Sequence, residues 1–244
     1  MSVSLQIVGI SGSPRHGNTE LLVEEALRAA SDAPIDVSTR MVSLAGKRIE
    51  PCSDCQVCAD QKRRCVKQDD WFSLISAIID PVPDGIIIGS PVYFFSVTAQ
   101  LRAFFERCTS LNKAYWVSEF PFPPPDFSRT AAAAIAVGFH RHGGVEHAVA
   151  DILHWYLTIG CVCTGADYIG GPAWQIEKNA RDAVLEDVIG MRNARIVGRR
   201  IAYLAYLLSA GAKASPQTLR AMSDYRSLEI GQEGNSDAHS QPPG

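Results

Sequence analysis

Short apolar runs alternate with amphipathic stretches along most of this chain. Leu5-Gln6-Ile7-Val8-Gly9-Ile10 reads as a buried strand. A Ser/Gly loop follows, and then a helical pattern from about Thr19 to Ala30, with Leu21, Leu22, Ala26 and Leu27 on one face. Ile35 to Val42 alternates like a second strand. A Cys-rich segment comes next and is read as loop. Asp69-Asp70 then opens a helix carrying Trp71, Leu74, Ile75 and Ile78, since acidic residues suit a helix N-terminus. Gly85 to Gly89 is apolar throughout, the mark of a strand buried on both faces. Ser90 to Ser96 is predicted loop and Val97 to Leu111 a helix. Trp116 to Ser128, rich in Pro and aromatics, is predicted irregular. Ala131 to Val137 is a fourth strand, Val145 to Ile159 a helix and Cys161 to Tyr168 a fifth strand. A last long helix is expected from roughly Arg181 to Ser209. There is no internal repeat.

Five strands alternating with helices predict a doubly wound α/β fold with a parallel sheet. Five strands favour the flavodoxin-like order 2-1-3-4-5, here with a Cys-rich loop after strand 2. A ligand then belongs at the switch point between the first and third strands, walled by the loops after strands one, three and four. The domain is expected over residues 1–210, with 211–244 as a C-terminal extension that turns polar and disordered from about Gly231.

Composition narrows the picture. The 244 residues suit one well-packed domain, with hydrophobic residues at 46% and charged residues at 20%. A net charge of −3 argues against a nucleic-acid partner. No stretch is apolar enough to span a bilayer, and Met1-Ser2-Val3-Ser4 lacks the basic start of a signal peptide, so a cytoplasmic location is expected. Four of the seven Cys fall within residues 52–65. In such a setting, crowding of this kind points to metal, cluster or redox chemistry rather than to disulfides.

The loop Ser11-Gly12-Ser13-Pro14-Arg15-His16-Gly17-Asn18-Thr19 carries side-chain donors on Ser11, Ser13, Asn18 and Thr19. Its glycines permit a tight turn, the following helix adds its positive end, and Arg15 can add a charge-assisted hydrogen bond. That set suits a terminal phosphate monoester. It is neither G-x-G-x-x-G nor a Gly-Lys-Ser/Thr P-loop. The plainer alternative is a Ser/Gly turn that only caps a helix.

Ser90-Pro91-Val92-Tyr93-Phe94-Phe95-Ser96 can wall a flat ring, or can simply pack aromatics under a loop. Gly138-Phe139-His140-Arg141-His142-Gly143-Gly144 allows close backbone approach to a ligand. Each of His140, Arg141 and His142, taken singly, reads more readily as solvated. His147 and His154 read as packing or surface residues, and Cys108, Cys161 and Cys163 as buried apolar ones.

Cys52-x2-Cys55-x2-Cys58-x6-Cys65 is the most informative segment. Four thiolates are the full ligand set of a [4Fe–4S] centre. Zinc also takes four thiolates, although its usual pattern is two well-separated Cys-x2-Cys pairs. Free or structural thiols are the third reading.

Together these segments resemble the iron–sulfur flavoprotein family, within the flavodoxin-like NADPH-dependent FMN reductases. Gly9 to Arg15 with Asn18 is similar to the family's FMN phosphate loop. Cys52, Cys55, Cys58 and Cys65 followed by Asp69-Asp70 are similar to its compact cluster motif. Pro91-Val92-Tyr93 and Ala134 to Glu146 are similar to its flavin-ring loops. Gly170-Gly171 to Trp174 and Gly190-Met191 add to the match, which runs from about Leu5 to Leu208. The chain departs from the pattern at Phe139, Val145 and His147, and its segments Pro121–Pro125 and Gln175–Asp187 look extended.

The resemblance implies an FMN-dependent oxidoreductase that moves electrons between FMN and a [4Fe–4S] cluster. FMN would meet Ser11, Ser13, Arg15, Asn18 and Thr19, then Pro91, Val92, Tyr93, Phe94 and Ser96, and lastly Gly138, His140, Gly143 and Gly144. The cluster would be held by Cys52, Cys55, Cys58 and Cys65. No residue is singled out as catalytic. Lys62, Arg63 and Arg64 would raise the cluster potential if they lie close to it.

The resemblance also implies an electron donor such as NAD(P)H or ferredoxin, a small-molecule or protein acceptor, and a homodimer or homotetramer. The loop from Tyr115 to Phe127 is a candidate for the oligomer interface. Two rival readings are a cluster-free NAD(P)H-dependent FMN or quinone reductase and a Cys-based redox or metal sensor.

Overall fold

The computed structural model describes residues 3–116, 120–139, 143–165, 173–174 and 180–218. Strand β1 (Ser4–Ser11) leads into helix α1 (Asn18–Ser31) and β2 (Asp36–Ser43). The short helix α2 (Val57–Asp60) lies within the Cys-rich segment. Helix α3 (Trp71–Ile79), β3 (Gly85–Pro91), α4 (Ala99–Arg107) and α5 (Thr109–Trp116) follow. Then come β4 (Ala131–Gly138), α6 (Val145–Thr158), the short strands β5 (Val162–Cys163) and β6 (Ala173–Trp174), and α7 (Val188–Ala214). By contacts the chain divides into residues 1–209 and 210–244. Of the second unit, the described part is the last residues of α7 and a turn of helix at 216–218.

All strand pairs are parallel, in the order β2-β1-β3-β4-β5. Alternation within each strand explains how both faces are covered. Val8, Ile10, Ile86, Ile88, Ala132, Ala134 and Ala136 face one layer, with Trp71, Phe104 and Tyr156. Leu5, Ile7, Ile87, Ala131, Ala133 and Ile135 face the other, with α1 and α7. A strand covered on both faces has no polar side, which is why β3 and β4 are apolar almost throughout. Small residues let the helices come close. A Cβ on Gly198 of α7 would stand 1.9 Å from the Ala26 carbonyl oxygen of α1.

The structure differs from the sequence expectation in four places, the first being the short helix α2 within the Cys-rich segment read as loop. The predicted helix Val97–Leu111 is two helices that break at Cys108. There the N–H of Cys108 bonds the Phe105 carbonyl (3.0 Å) and the N–H of Leu111 bonds the Cys108 carbonyl (2.9 Å). These tighter i→i−3 bonds interrupt the α-helical ladder and re-aim the chain. The predicted fifth strand is a two-residue strand on Ala131–Ala132, and β6 pairs separately with Val137–Gly138. The last helix is preceded by a 3-10 turn at Ala183–Glu186 and starts at Val188. Asp187 caps it by accepting the N–H of Gly190 at 3.0 Å. The tail expected to be disordered lies outside the described residues.

Candidate functional site

Two clefts gather the chemically informative residues. The first, about 530 Å³, opens beyond the carboxyl ends of β1, β3 and β4. Ser13, Arg15, Asn18 and Thr19 line one side; Pro91, Val92 and Tyr93 line the next. Val137, Gly138 and Phe139 close it.

The loop after β1 is fixed from behind. Gly12 donates its N–H to Gly89 O (2.7 Å), and the Thr98 hydroxyl donates to Gly12 O (2.7 Å). A Cβ on Gly12 would fall 2.6 Å from Leu101 Cδ2. The Ser13 hydroxyl donates to Arg15 O (2.6 Å) and accepts the Arg15 N–H (3.2 Å), which curls the loop. Gly17 has a positive φ of 153°, and no side chain caps the start of α1. The first turn therefore presents main-chain N–H groups at the positive end of the helix dipole.

Two expected phosphate contacts are placed differently. Ser11 is fully buried beneath the loop, outside the cleft lining, and its Oγ has no hydrogen-bond partner among the described residues. It sits on the last position of β1, where its carbonyl accepts the Leu44 N–H. Asn18 lines the cleft, but its amide donates to Ala180 O (2.9 Å) and its carbonyl accepts the Val184 N–H (3.1 Å). That side chain holds the segment before α7.

The loop after β3 is a strained turn. Tyr93 and Ser96 exchange N–H···O bonds of 2.9 and 3.1 Å across Phe94 and Phe95. Both phenylalanines are left-handed, with φ of 50° and 66°. Such turns favour Asn-Gly, and each bulky residue in that region costs about 1–2 kcal/mol. Asp151 holds the turn by accepting the Ser96 hydroxyl, and Arg102 pairs with Asp151 at 2.6 Å. Burial pushes the Asp151 carboxyl up, but the hydrogen bonds from Ser96 and Arg102 outweigh it, so its pKa lies below the ordinary value.

Phe94 stands at the tip, 100% exposed, and neither it nor Ser96 lines the cleft. Gly143 and Gly144 also stand outside the lining. Gly144 caps α6 with φ +107°, where a Cβ would meet Val92 at 2.8 Å. His140, with Arg141 and His142, lies outside the described residues.

The second cleft, about 420 Å³, is lined by Cys52, Cys55, Cys58 and Cys65 together. Left-handed residues Asp54, Gln56 and Lys62 wind the segment tightly enough to bring them to one wall. Lys67, Arg107 and Lys113 supply its positive side. Lys62, Arg63 and Arg64 do not line it. Arg64 instead lies over the rings of Phe72 and Phe122, at 5.4 and 5.3 Å. Among the described residues, no group of three or more His, Cys, Asp or Glu converges on one point as an ion-binding set.

Sulfur atoms in this cleft receive hydrogen bonds. The Asp54 N–H reaches Cys52 Sγ at 3.4 Å, and Arg107 Nε donates to Cys65 Sγ at 3.0 Å. Burial pushes the Cys58 thiol up, against the opposing pull of the Ala59 N–H and Lys113. Arg107 is itself buried, and its guanidinium grips Asp69 through Nη1 (2.7 Å) and Nη2 (3.3 Å). Burial pushes the Asp69 carboxyl up; the bonds from Arg107 and from the Glu50 and Trp71 N–H groups bring it below the usual range.

Sequence reasoning missed Arg107, Lys67 and Lys113. A signal for Arg107 was present, because it falls on the apolar stripe of Phe104 and Leu111. Of the remaining thiols, Cys108 and Cys161 are buried as expected, and burial pushes Cys108 up to about 12, whereas Cys163 is only half-buried. Among the described residues no helix is long and apolar enough to cross a membrane.

Residues 5–175 match the family of NADPH-dependent FMN reductases. An iron–sulfur flavoprotein of Methanocaldococcus jannaschii is 33% identical over 209 residues, covering 84% of this chain and 99% of that protein. An iron–sulfur flavoprotein of Archaeoglobus fulgidus is 35% identical over 200 residues, covering 80% and 95%. Among solved structures, RosB with bound 8-demethyl-8-formylriboflavin-5′-phosphate superposes with a TM-score of 0.57 at 15% identity, over 99% of this chain and 98% of that one. That likeness shows the fold. The length of the sequence match shows the family, and with it the chemistry class: this chain is a flavin-dependent oxidoreductase belonging to the iron–sulfur flavoproteins of the NADPH-dependent FMN reductase family.

Proposed function

We propose that the protein moves electrons between FMN in the first cleft and a [4Fe–4S] cluster held by Cys52, Cys55, Cys58 and Cys65. The observation that carries this is that all four thiols line one cleft, with N–H donors reaching two of the sulfurs. The donor set fits: thiolates are the ligands such a cluster takes, and hydrogen bonds to sulfur tune it.

When bound, FMN supplies two-electron chemistry and the cluster carries one electron at a time. The chain's own residues do the positioning. The first turn of α1, Ser13, Thr19 and Arg15 hold a phosphate by main-chain and charge-assisted hydrogen bonds. Pro91, Val92 and Tyr93, with Gly138 and Phe139, line the same cleft and would hold the flavin ring there. Phe139, a large and partly exposed ring in the cleft lining, would bear on which donor or acceptor enters. A homodimer or homotetramer, with donors such as NAD(P)H or ferredoxin, completes the reading.

Anaerobic purification with iron, acid-labile sulfide and FMN counted per chain tests it. The expected result is one FMN with four irons and four sulfides per chain, and broad absorbance beside the flavin bands. One FMN with no iron after reconstitution moves the assignment to a cluster-free NAD(P)H-dependent FMN or quinone reductase.

A further inference from the structure

We propose that Arg107 is a positioning residue for Cys65 and raises the reduction potential of the cluster; this rests on the reading that the four cysteines hold a [4Fe–4S] centre. A guanidinium only 1% exposed is expensive to bury unless every donor is placed. Here each nitrogen is. Nη1 and Nη2 form a fork on Asp69, Nη1 also donates to Glu50 O (3.0 Å), and Nε donates to Cys65 Sγ (3.0 Å). The plane lies over the Trp71 ring at 5.2 Å. Asp69 is locked in turn by the N–H groups of Glu50 (2.9 Å) and Trp71 (3.1 Å).

This geometry leaves the guanidinium no rotational choice. With the fork fixed by Asp69, the Nε–H direction is fixed as well, and it points at sulfur. A pair serving only to pin the loop needs Asp69 and Glu50, not the sulfur. The two other cations of the cleft are used differently. Lys67 donates to Pro51 O (2.7 Å) and Lys113 to Gln56 Oε1 (3.2 Å). Of the three, Arg107 alone reaches a sulfur.

Reduction adds one negative charge to a cluster. A buried cation hydrogen-bonded to a ligand sulfur favours that more negative form, and more so in a low-dielectric site. Arg107 therefore shifts the potential upward, the role the sequence had suggested for Lys62, Arg63 and Arg64. Those three do not line the cleft.

The test is a spectroelectrochemical titration of the full chain, loaded with FMN and reconstituted anaerobically, as wild type, Arg107→Lys and the double variant Asp69→Leu/Arg107→Met. Lysine keeps a charge but loses the planar fork and the Nε donor. The double variant removes the pair without stranding a buried carboxylate. The expected result is a cluster midpoint that falls in Arg107→Lys and falls further in the double variant. The FMN midpoint in the same samples stays in place. If the double variant loses iron but keeps its FMN, the cluster midpoint of Arg107→Lys decides. Full iron with an unchanged cluster midpoint in the double variant overturns the proposal and leaves Arg107 a support of the loop. If the double variant loses FMN as well, Arg107→Lys decides by the same two outcomes. A wild-type chain that takes up no iron or sulfide overturns the underlying reading instead, before any variant is made.

Discussion

Around the first cleft, most lining residues sit within four positions of a strand end. Around the cysteine cleft the thiols are local, but the side chain that bonds one of their sulfurs comes from α4, Arg107 lying 42 residues beyond Cys65. The first cleft stores its cost in backbone strain at Phe94 and Phe95. The second stores it in a buried ion pair whose side chains are 1% and 0% exposed. One site is therefore shaped by how the chain turns, the other by which charges are desolvated together. The two should fail in different ways.

Breaking the ion pair gives the largest expected effect. Arg107→Leu leaves the Asp69 carboxylate buried without a counter-charge and is expected to cost about 3–5 kcal/mol in urea unfolding. Asp69→Leu/Arg107→Leu should recover most of that loss. A single variant within about 1 kcal/mol of wild type would show that the pair does not frame the cysteine cleft.

On the other side, Arg15→Ala should weaken FMN binding about 10- to 100-fold, the value of one charge-assisted hydrogen bond, while leaving urea unfolding of the apoprotein unchanged. An unchanged Kd would mean that the main chain alone holds the phosphate.

Asp151→Asn tests the clamp on the strained turn and should cost about 1–2 kcal/mol at pH 7. The folded-state pKa of Asp151 is depressed, so the unfolded chain takes up its proton first on acidification. Its contribution is complete above about pH 4, the unfolded carboxylate value, and is lost as pH falls through the folded value. Unfolding of wild type and variant across pH 3–7 should converge at the acid end. A gap that stays constant with pH would assign the loss to packing.

The smallest effect is expected at Phe94. Its side chain is fully exposed, so Phe94→Gly gives up no packing and relieves left-handed strain. A gain of about 1 kcal/mol, seen as a raised Tm, should accompany it. A lowered Tm would show that the ring is held by contacts this chain does not make alone.

The same contrast explains what the sequence revealed. The sheet order and the cleft beside the loop after β1 were legible because apolar runs, glycines and loop residues are contiguous, and contiguity is what a linear reading detects. Ser13, Arg15, Thr19 and Pro91 to Tyr93 line the cleft. Ser11 and Asn18 were donors by type, yet burial took one and the 180–184 segment took the other. The split of the predicted helix at Cys108 was not legible, because both halves keep a helical pattern and the break lies in main-chain bonding. Arg107 was hidden for a related reason. Its partners Asp69 and Cys65 become neighbours only after α3 and α4 have packed on the same sheet face.

Helix α4 is capped by Thr98, whose hydroxyl donates to Gly12 of the loop after β1, and ends at Arg107 on Cys65. Its nine residues make a rod about 14 Å long in which each residue also advances the turn by about 100°. The helix is thus a gauge in two coordinates at once, setting how far apart its two ends lie and the angle between them. Adding or deleting a single residue between Thr98 and Arg107 changes the length by only about 1.5 Å. It also swings the guanidinium more than a quarter of the way around the axis, off the sulfur and off Asp69. The count of residues in α4 is therefore under tighter geometric constraint than the identity of most of them.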